Sequence, residues 1–191
     1  MPDVTQENRF LAVETPLGKD ALLLASFSGH EEMSRLFRFQ LEFVSEKADI
    51  AAKDIVGKSV TWFVRPDDSD EQVFNGHVSR FFTGSQDDGG LWHYRAEVVP
   101  WLWFLTRTAD CRIFQNKSVP EIIEQIFGDL GFTAFKNQIG KAGHAKWDYC
   151  VQYRETDFNF ASRLMEEEGI FYFFKHEKGK HTLVMSDEKS A

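Results

Sequence analysis

With 191 residues, 42% of them apolar and 15% aromatic, including 19 Phe, the chain can close one sizeable hydrophobic core or two small ones. Thirty acidic against 22 basic side chains leave a net charge of -8 and a pI near 5.3, the wrong sign for attraction to nucleic acid or anionic lipid, so neither is expected as a partner. The opening Met1-Pro2-Asp3-Val4-Thr5-Gln6-Glu7-Asn8 is polar and acidic, unlike a signal peptide, and no apolar run approaches the roughly 18–20 residues that span a bilayer, so cytoplasmic synthesis is expected.

Residues 10–18 read as a strand ending in the turn Thr15-Pro16-Leu17-Gly18, and 22–27 as a second strand, with 29–34 as a connection. The clearest alternation follows over 36–43, where Phe37, Phe39, Leu41 and Phe43 face one way and Arg38, Gln40 and Glu42 the other, the mark of a half-buried antiparallel strand. Residues 50–56 suggest a short helical turn leading to Gly57. Gly57-Lys58-Ser59 ends like a phosphate-binding loop, but Ala52 stands where the first Gly belongs and a β-branched strand over 60–65 follows where a helix is needed, so that motif is rejected. Pro66-Asp67-Asp68-Ser69-Asp70 closes this strand.

A further strand spans 73–82. Asn75-Gly76 lies too near its start to be a hairpin turn and is read as a bulge, whereas Asp87-Asp88-Gly89-Gly90 is the turn that returns the chain. On the returning strand Trp92, Tyr94, Ala96 and Val98 share one face and His93, Arg95 and Glu97 the other. Pro100 ends it, since proline cannot donate to a ladder, and 101–105 read as a short apolar helix lying on the sheet.

Ser118-Val119-Pro120-Glu121 is a capping box, opening a helix with Ile122, Ile123, Ile126, Phe127 and Leu130 inward and Gly131 as its stop. Residues 138–146, with Gly140 and Gly143, are a loop. Residues 149–174 then read as strand, helix, strand. Thr156 or Asp157 caps the helix, Phe158, Ala161, Leu164 and Met165 form its apolar stripe, and Gly169 takes the left-handed closing position, with Ile170 placed to meet Met165. In the next strand Ile170, Tyr172 and Phe174 oppose Phe171 and Phe173, which implies an interior strand or one facing a partner. A four-residue connection, Glu177-Lys178-Gly179-Lys180, leads to a last strand over 181–187.

Glu166, Glu167 and Glu168 crowd the helix C-terminus, where the macrodipole favours cations and each acid costs about 0.3–1 kcal/mol. Arg163 relieves part of that. Two readings stand: a solvated acidic face, or a docking surface for a basic partner. No Gly/Ser-rich or Pro-rich linker and no repeat divides the chain. Many strands followed by helix, strand, helix and hairpin point to α+β, mainly antiparallel β, with barrel-like domains and a few short helices packed on the sheets. The expected division is 1–110, β-rich, and 111–191, a helix, strand, helix and hairpin segment opening a second subdomain.

The search for chemistry returns no catalytic residue, no cofactor and no metal. His176 and His181 are five apart with Gly179 between them, so they fail the helical zinc signature, and zinc sites want three or four ligands. Across the hairpin a two-ligand surface site remains conceivable; paired strand-end histidines are the better reading. Glu155 and Asp157 are better explained by helix capping than as a glycosidase pair, and there is no Gly-x-Ser-x-Gly elbow, Cys-x-x-Cys or Gly-x-Gly-x-x-Gly. Cys111 and Cys150 are read as ordinary buried thiols, with a disulfide contingent on Cα atoms within about 7 Å.

Taken in order, several motifs together are specific: Gly29-His30-Glu31 with Ser34-Arg35-Leu36-Phe37-Arg38-Phe39; Pro100-Trp101-Leu102-Trp103; Cys111-Arg112-Ile113-Phe114-Gln115 with Ser118-Val119-Pro120-Glu121-Ile122-Ile123; and Gln152-Tyr153-Arg154-Glu155-Thr156-Asp157-Phe158 through Glu167-Glu168-Gly169-Ile170-Phe171-Tyr172. They cover nearly the whole chain and resemble the N-terminal, phage tail hub-like region of VgrG, the type VI secretion spike family. The resemblance implies a structural protein without activity of its own, a homotrimer in its full-length form. It implies that the trimer caps the Hcp tube ring, is built on baseplate proteins and carries effectors, and that the type VI machine exports it to the outside or into target cells. It also implies that the chain is a fragment of a longer protein, with the rest of the hub, a small barrel and a β-helical needle absent after Ser190-Ala191. Under it Arg112, Phe114, Gln115, Gln152, Tyr153, Glu155, Asp157, Arg163, Glu166, Glu167 and Glu168 are candidate interface residues. Two other classes stay open: a stand-alone β-rich module binding carbohydrate or protein through Trp62, Trp92 or Trp147, and a hydrolase using scattered acids.

Overall fold

In the computed structural model, residues 5–7, 9–66, 70–140 and 144–188 are described. The turn expected at Asp67-Asp68-Ser69, the Gly143 position, the end of the chain and most of the polar lead lie outside them. In chain order the elements are β1 (Leu11–Glu14), β2 (Leu23–His30), β3 (Arg38–Ser45), β4 (Ser59–Val64), β5 (Gln72–Gln86), β6 (Trp92–Val99), β7 (Ala109–Lys117), α1 (Val119–Asp129), β8 (Phe135–Gln138), β9 (Trp147–Thr156), α2 (Asp157–Glu167), β10 (Phe171–Glu177) and β11 (Lys180–Ser186), with 3-10 turns at Ala52–Asp54 and Trp101–Thr106. The architecture is α+β and mainly antiparallel, as expected. The chain forms two compact units, one of Met1–Glu31, Phe37–Pro100 and His176–His181, the other of Glu32–Leu36, Trp101–Lys175 and Thr182–Ala191.

The first unit is a six-stranded sheet in the order β1-β4-β5-β6-β3-β2, curled so that β1 and β2 approach each other and nearly close a barrel. The alternation of β3 holds: Phe37, Phe39, Leu41 and Phe43 are buried. They join Trp62, fully buried and stacked on Phe74 at 5.4 Å with Phe39 edge-on at 5.1 Å.

Asn75-Gly76 is not a bulge. Both residues sit in unbroken register with β4, Asn75 opposite Thr61 and Gly76 opposite Val60, and the irregularities in β5 lie instead between Val78 and Arg80 and between Thr83 and Gln86, against β6. The reason for glycine is space, since a Cβ on Gly76 would come to 2.5 Å from Val98 Cγ1 and 3.2 Å from Phe37 Cε2. Gly76→Ala is therefore expected to cost about 1–3 kcal/mol by overpacking, read from the urea midpoint at unchanged slope.

In the second unit α1 and α2 pack on the two-stranded β7-β9 ribbon and on each other, and β10-β11-β8 form a three-stranded sheet. Ser118 N–H donates to the Glu121 carboxylate at 2.8 Å, which pulls the Glu121 pKa down. Thr156, not Asp157, caps α2, accepting from Asn159 N–H at 3.1 Å. Gly169, at φ +71°, closes α2: its N–H bonds Glu166 O at 3.3 Å and the Ile170 N–H bonds Met165 O at 2.8 Å, the paired bonds of a Schellman cap.

Five expectations need correcting. Phe160 rather than Phe158 is the fully buried aromatic of α2, stacked on Phe114 at 5.7 Å, because the stripe turns toward the ribbon. Leu130 is only half-buried. The Trp101–Thr106 turn packs on α2 rather than on a sheet, with Trp101 stacked on Phe132 at 4.8 Å. β10 is an edge strand, and Lys175 covers its second apolar face, its ammonium 5.4 Å from the Phe173 ring. The hairpin connection is two residues, Lys178-Gly179, with Gly179 at φ +81°. In addition β8, which carries no strong sequence signal, pairs in parallel with β11, Phe135 opposite Leu183.

Candidate functional site

The β7-β9 ribbon gathers most of the candidate residues. Its antiparallel register sets Cys111 opposite Tyr153, Ile113 opposite Val151 and Gln115 opposite Tyr149 on one face, and Arg112 opposite Gln152 and Phe114 opposite Cys150 on the other.

The inner face is a closed polar tie. Arg112 donates through Nη2 to Asp157 Oδ1 at 2.5 Å and through Nε to Gln152 Oε1 at 3.0 Å, with Asp110 and Asp129 carboxylates at 3.4 and 3.5 Å. Gln152 returns its amide hydrogens to Asp157 Oδ1 at 2.9 Å and to Glu155 O at 3.2 Å. Gln152 is fully buried and Asp157 3% exposed, so each charge taken from water is repaid by several short contacts. Asp157 also stands in the first turn of α2, where the helix dipole favours an anion. Phe114 is buried beneath the Arg112 guanidinium, and Cys150 beside it is buried, which raises its thiol pKa.

The outer face is the reverse. Ile113 is 68% exposed, Tyr149 68%, Tyr153 63% and Val151 40%, a continuous apolar strip of four large side chains. Gln115 and Cys111 are exposed among them, Cys111 and Cys150 are both free thiols, and Cys111 is thus not the buried thiol expected. Arg154, the extra residue of the bulge at the ribbon's end, has φ +54° and lays its guanidinium over Tyr153 at 5.1 Å. Scattered exposed apolar residues are ordinary; here four large ones share one face of the ribbon.

The remaining candidates lie on α2 and just before it. Arg163 donates to Glu155 at 2.7 Å and covers Phe160 at 5.3 Å. At the C-terminal end Glu166 and Glu167 are exposed, while Glu168 is half-buried and bonded to His144 Nδ1, whose Nε2 lies 3.4 Å from Asp187. One acid of the crowded run thus has a hydrogen-bond partner that adjacency in sequence does not reveal.

Glu155 and Asp157 are engaged by Arg163 and Arg112 instead of facing a common space. Among the described residues no three His, Cys, Asp or Glu are grouped to hold a metal ion. The surface pair imagined at His176 and His181 is corrected: His181 is 1% exposed, its ring packed against His77 at 5.5 Å and His176 at 6.2 Å. A depression of about 580 Å³ is lined by Glu7, Glu14, Lys19, Phe63 and Arg65, and another of about 330 Å³ by Glu42, Phe82, His93 and Arg95. Trp62 has no exposed face for a sugar to stack on, and Trp92 and Trp147 are half-buried.

Residues 30–191 match the model of the phage tail baseplate hub (GPD) family. The chain is 44% identical over 188 residues to the type VI secretion system spike protein VgrG1b of Pseudomonas aeruginosa, covering 98% of this chain and 25% of that protein. It is 33% identical to the actin cross-linking toxin VgrG1 of Vibrio cholerae, covering 90% of this chain but only 16% of the toxin. Among solved structures it superposes on an E. coli type VI secretion component, described as similar to T4 tail proteins gp27 and gp5, with TM-score 0.82 and 22% identity over 93% of this chain and 49% of that one. A chain of the Francisella PdpA-VgrG complex matches with TM-score 0.63 at 12% identity, over 93% of this chain and 31% of that one. The chain spans about a quarter of the length of the curated spike proteins it matches.

Proposed function

We propose, from the premise that this chain belongs to the phage tail baseplate hub family, that it is building material without catalysis, a piece of the hub of a type VI secretion spike. In this reading the full-length protein is a homotrimer that caps the Hcp tube ring, is assembled with baseplate proteins and helps carry effectors. It is made in the cytoplasm and exported by the type VI machine. The β-rich hub subdomain is taken as 1–110, with 111–191 opening the next, a division that differs from the two compact units chiefly in giving residues 101–110 to the first and His176–His181 to the second. The observation that carries the proposal is identity of 44% to a spike protein across 98% of the chain, joined to a candidate site whose charged groups are occupied by one another. The PdpA complex supports a protein partner.

The contact surface is the outer ribbon face, with Gln115 and Tyr153 on it and Glu155, Arg163, Glu166 and Glu167 alongside. Arg112, Phe114, Gln152 and Asp157 hold the ribbon from behind, and Glu168 anchors the helix end. Covering the exposed parts of Ile113, Tyr149, Val151 and Tyr153 would return about 3–6 kcal/mol gross per copy, taking half of roughly 1.5–3 kcal/mol for each side chain. Association itself costs about 4–15 kcal/mol. One such strip is therefore too weak to hold a trimer unaided. Light-scattering mass measurement is expected to find this 191-residue segment monomeric and the full-length protein trimeric. A full-length monomer would end the proposal, and a turnover abolished by changing one named carboxylate would replace it with an enzyme.

A further inference from the structure

The hairpin tip His176–His181 belongs to the same compact unit as the six-stranded sheet and is bonded into it around one side chain, the fully buried Asn75. Asn75 Nδ2 faces Ser59 Oγ at 3.0 Å, Val60 O at 3.1 Å and Thr61 Oγ1 at 2.9 Å, which fixes the amide and leaves Oδ1 as acceptor for His181 Nδ1 at 2.8 Å. His181 is thereby held as the neutral tautomer with its proton on Nδ1. His176 Nδ1 lies 3.0 Å from both the backbone N–H and the backbone carbonyl oxygen of Asn75, and His176 Nε2 meets Glu31 at 3.2 Å. Gly179 N–H donates to Thr61 Oγ1 at 3.1 Å.

We propose that this tip is an acid-released latch, in which protonation of His181 and His77, packed together beside Asn75, frees residues 176–181 from the sheet. A second proton on His181 would sit at Nε2, in a pocket where Phe37 lies 5.5 Å away, ring to ring, and His77 equally near. Among the described residues, the groups that face the cluster include His77 from β5, Glu31 from the end of β2, His176 from β10, the uncharged Ser59 and Thr61 from β4, and Phe37 ahead of β3. On the tip itself Lys178 is paired with Glu14 and Lys180 with Glu177. Burial, reinforced by His77 and His176, pushes the His181 pKa down to about 3, and burial also lowers that of His77. A histidine less basic when latched than when free stabilises the latched form fully above pH 6.5, and that stability is lost as the pH falls toward 3.

The test is amide hydrogen exchange of the 191-residue chain from pH 7.5 to 5, corrected for the intrinsic rate. Protection at 176–181 is expected to fall about tenfold per pH unit for each titrating histidine below pH 6.5, while the amides of Ile122, Ile123 and Ile126 in α1 stay protected. His181→Gln, which can still donate to Asn75 Oδ1, should flatten the slope, and adding His77→Gln should remove it. A flat profile in the unsubstituted chain, an unchanged slope in the double variant, or loss of tip and α1 protection together would overturn the latch. Should the variants fail to fold, ring-proton titration of His181 in the unsubstituted chain decides: protonation accompanied by tip opening supports the latch, and protonation with the tip still protected overturns it.

Discussion

Asp157→Ala is expected to lower the unfolding free energy of the chain by about 3 kcal/mol. Breaking a buried ion pair by removing one partner typically costs about 3–5 kcal/mol, because the other charge is left uncompensated. Here the lower end applies, since Arg112 is 22% exposed along its side chain and keeps Asp110 and Asp129 nearby. Part of the loss falls on Gln152, whose buried amide would lose its acceptor at 2.9 Å. Asp157→Asn, which retains an acceptor oxygen, should cost about half as much. The contrast is the Lys178–Glu14 pair at 2.6 Å, with both side chains more than half exposed, where Glu14→Ala should cost under about 1 kcal/mol despite the short distance. Urea denaturation of the three variants measures all of this. Equal losses from Asp157→Ala and Glu14→Ala would show that the inner face of the ribbon is not the tie described.

Ile113→Asp combined with Tyr153→Asp is expected to leave the 191-residue fold within about 1 kcal/mol of the unsubstituted chain, since both side chains are more than 60% exposed. The same pair in the full-length protein should weaken trimer assembly at least 100-fold. A carboxylate forced unpaired into a desolvated contact and a lost aromatic anchor each cost about 2 kcal/mol or more. Mass measurement over a dilution series reads the shift from trimer to monomer. A full-length variant that remains trimeric at the dilution where the parent does would remove the outer ribbon face from the assembly surface. A trimer lost only with Glu166→Gln and Glu167→Gln would move that surface to the helix end.

Much of the fold was legible because its signals are local. The alternation of β3 needs only the two-residue period of a strand and one wet face. The ends of α2 needed only Thr156 to accept from Asn159 and Gly169 to take a positive φ, and neither depends on what the helix packs against. The errors fall where a distant neighbour decides. Asn75-Gly76 carries a hairpin signal, yet its glycine answers to Val98 and Phe37, and its asparagine to a histidine 106 residues away. β8 has too little apolar content to declare itself; β11 recruits it in parallel. In β7 both faces mix polar and apolar residues, Arg112 and Phe114 against Cys111, Ile113 and Gln115, so periodicity could not say which side was inward.

What the sequence by itself determined is the order of the elements other than β7 and β8, the helix caps, the acidic character that disfavours nucleic acid, and an ordered set of motifs resembling a secretion spike. These depend on short-range sterics, hydrogen bonds within a few residues and summed charge. Only the tertiary structure decided that Arg112, Gln152 and Asp157 turn inward while Ile113, Tyr149, Val151 and Tyr153 turn outward, and that His77, His176 and His181 meet around Asn75. Which face of a strand is buried, and which side chains a buried polar atom finds, are set by packing between segments far apart in the chain, and residue order alone does not encode those distances.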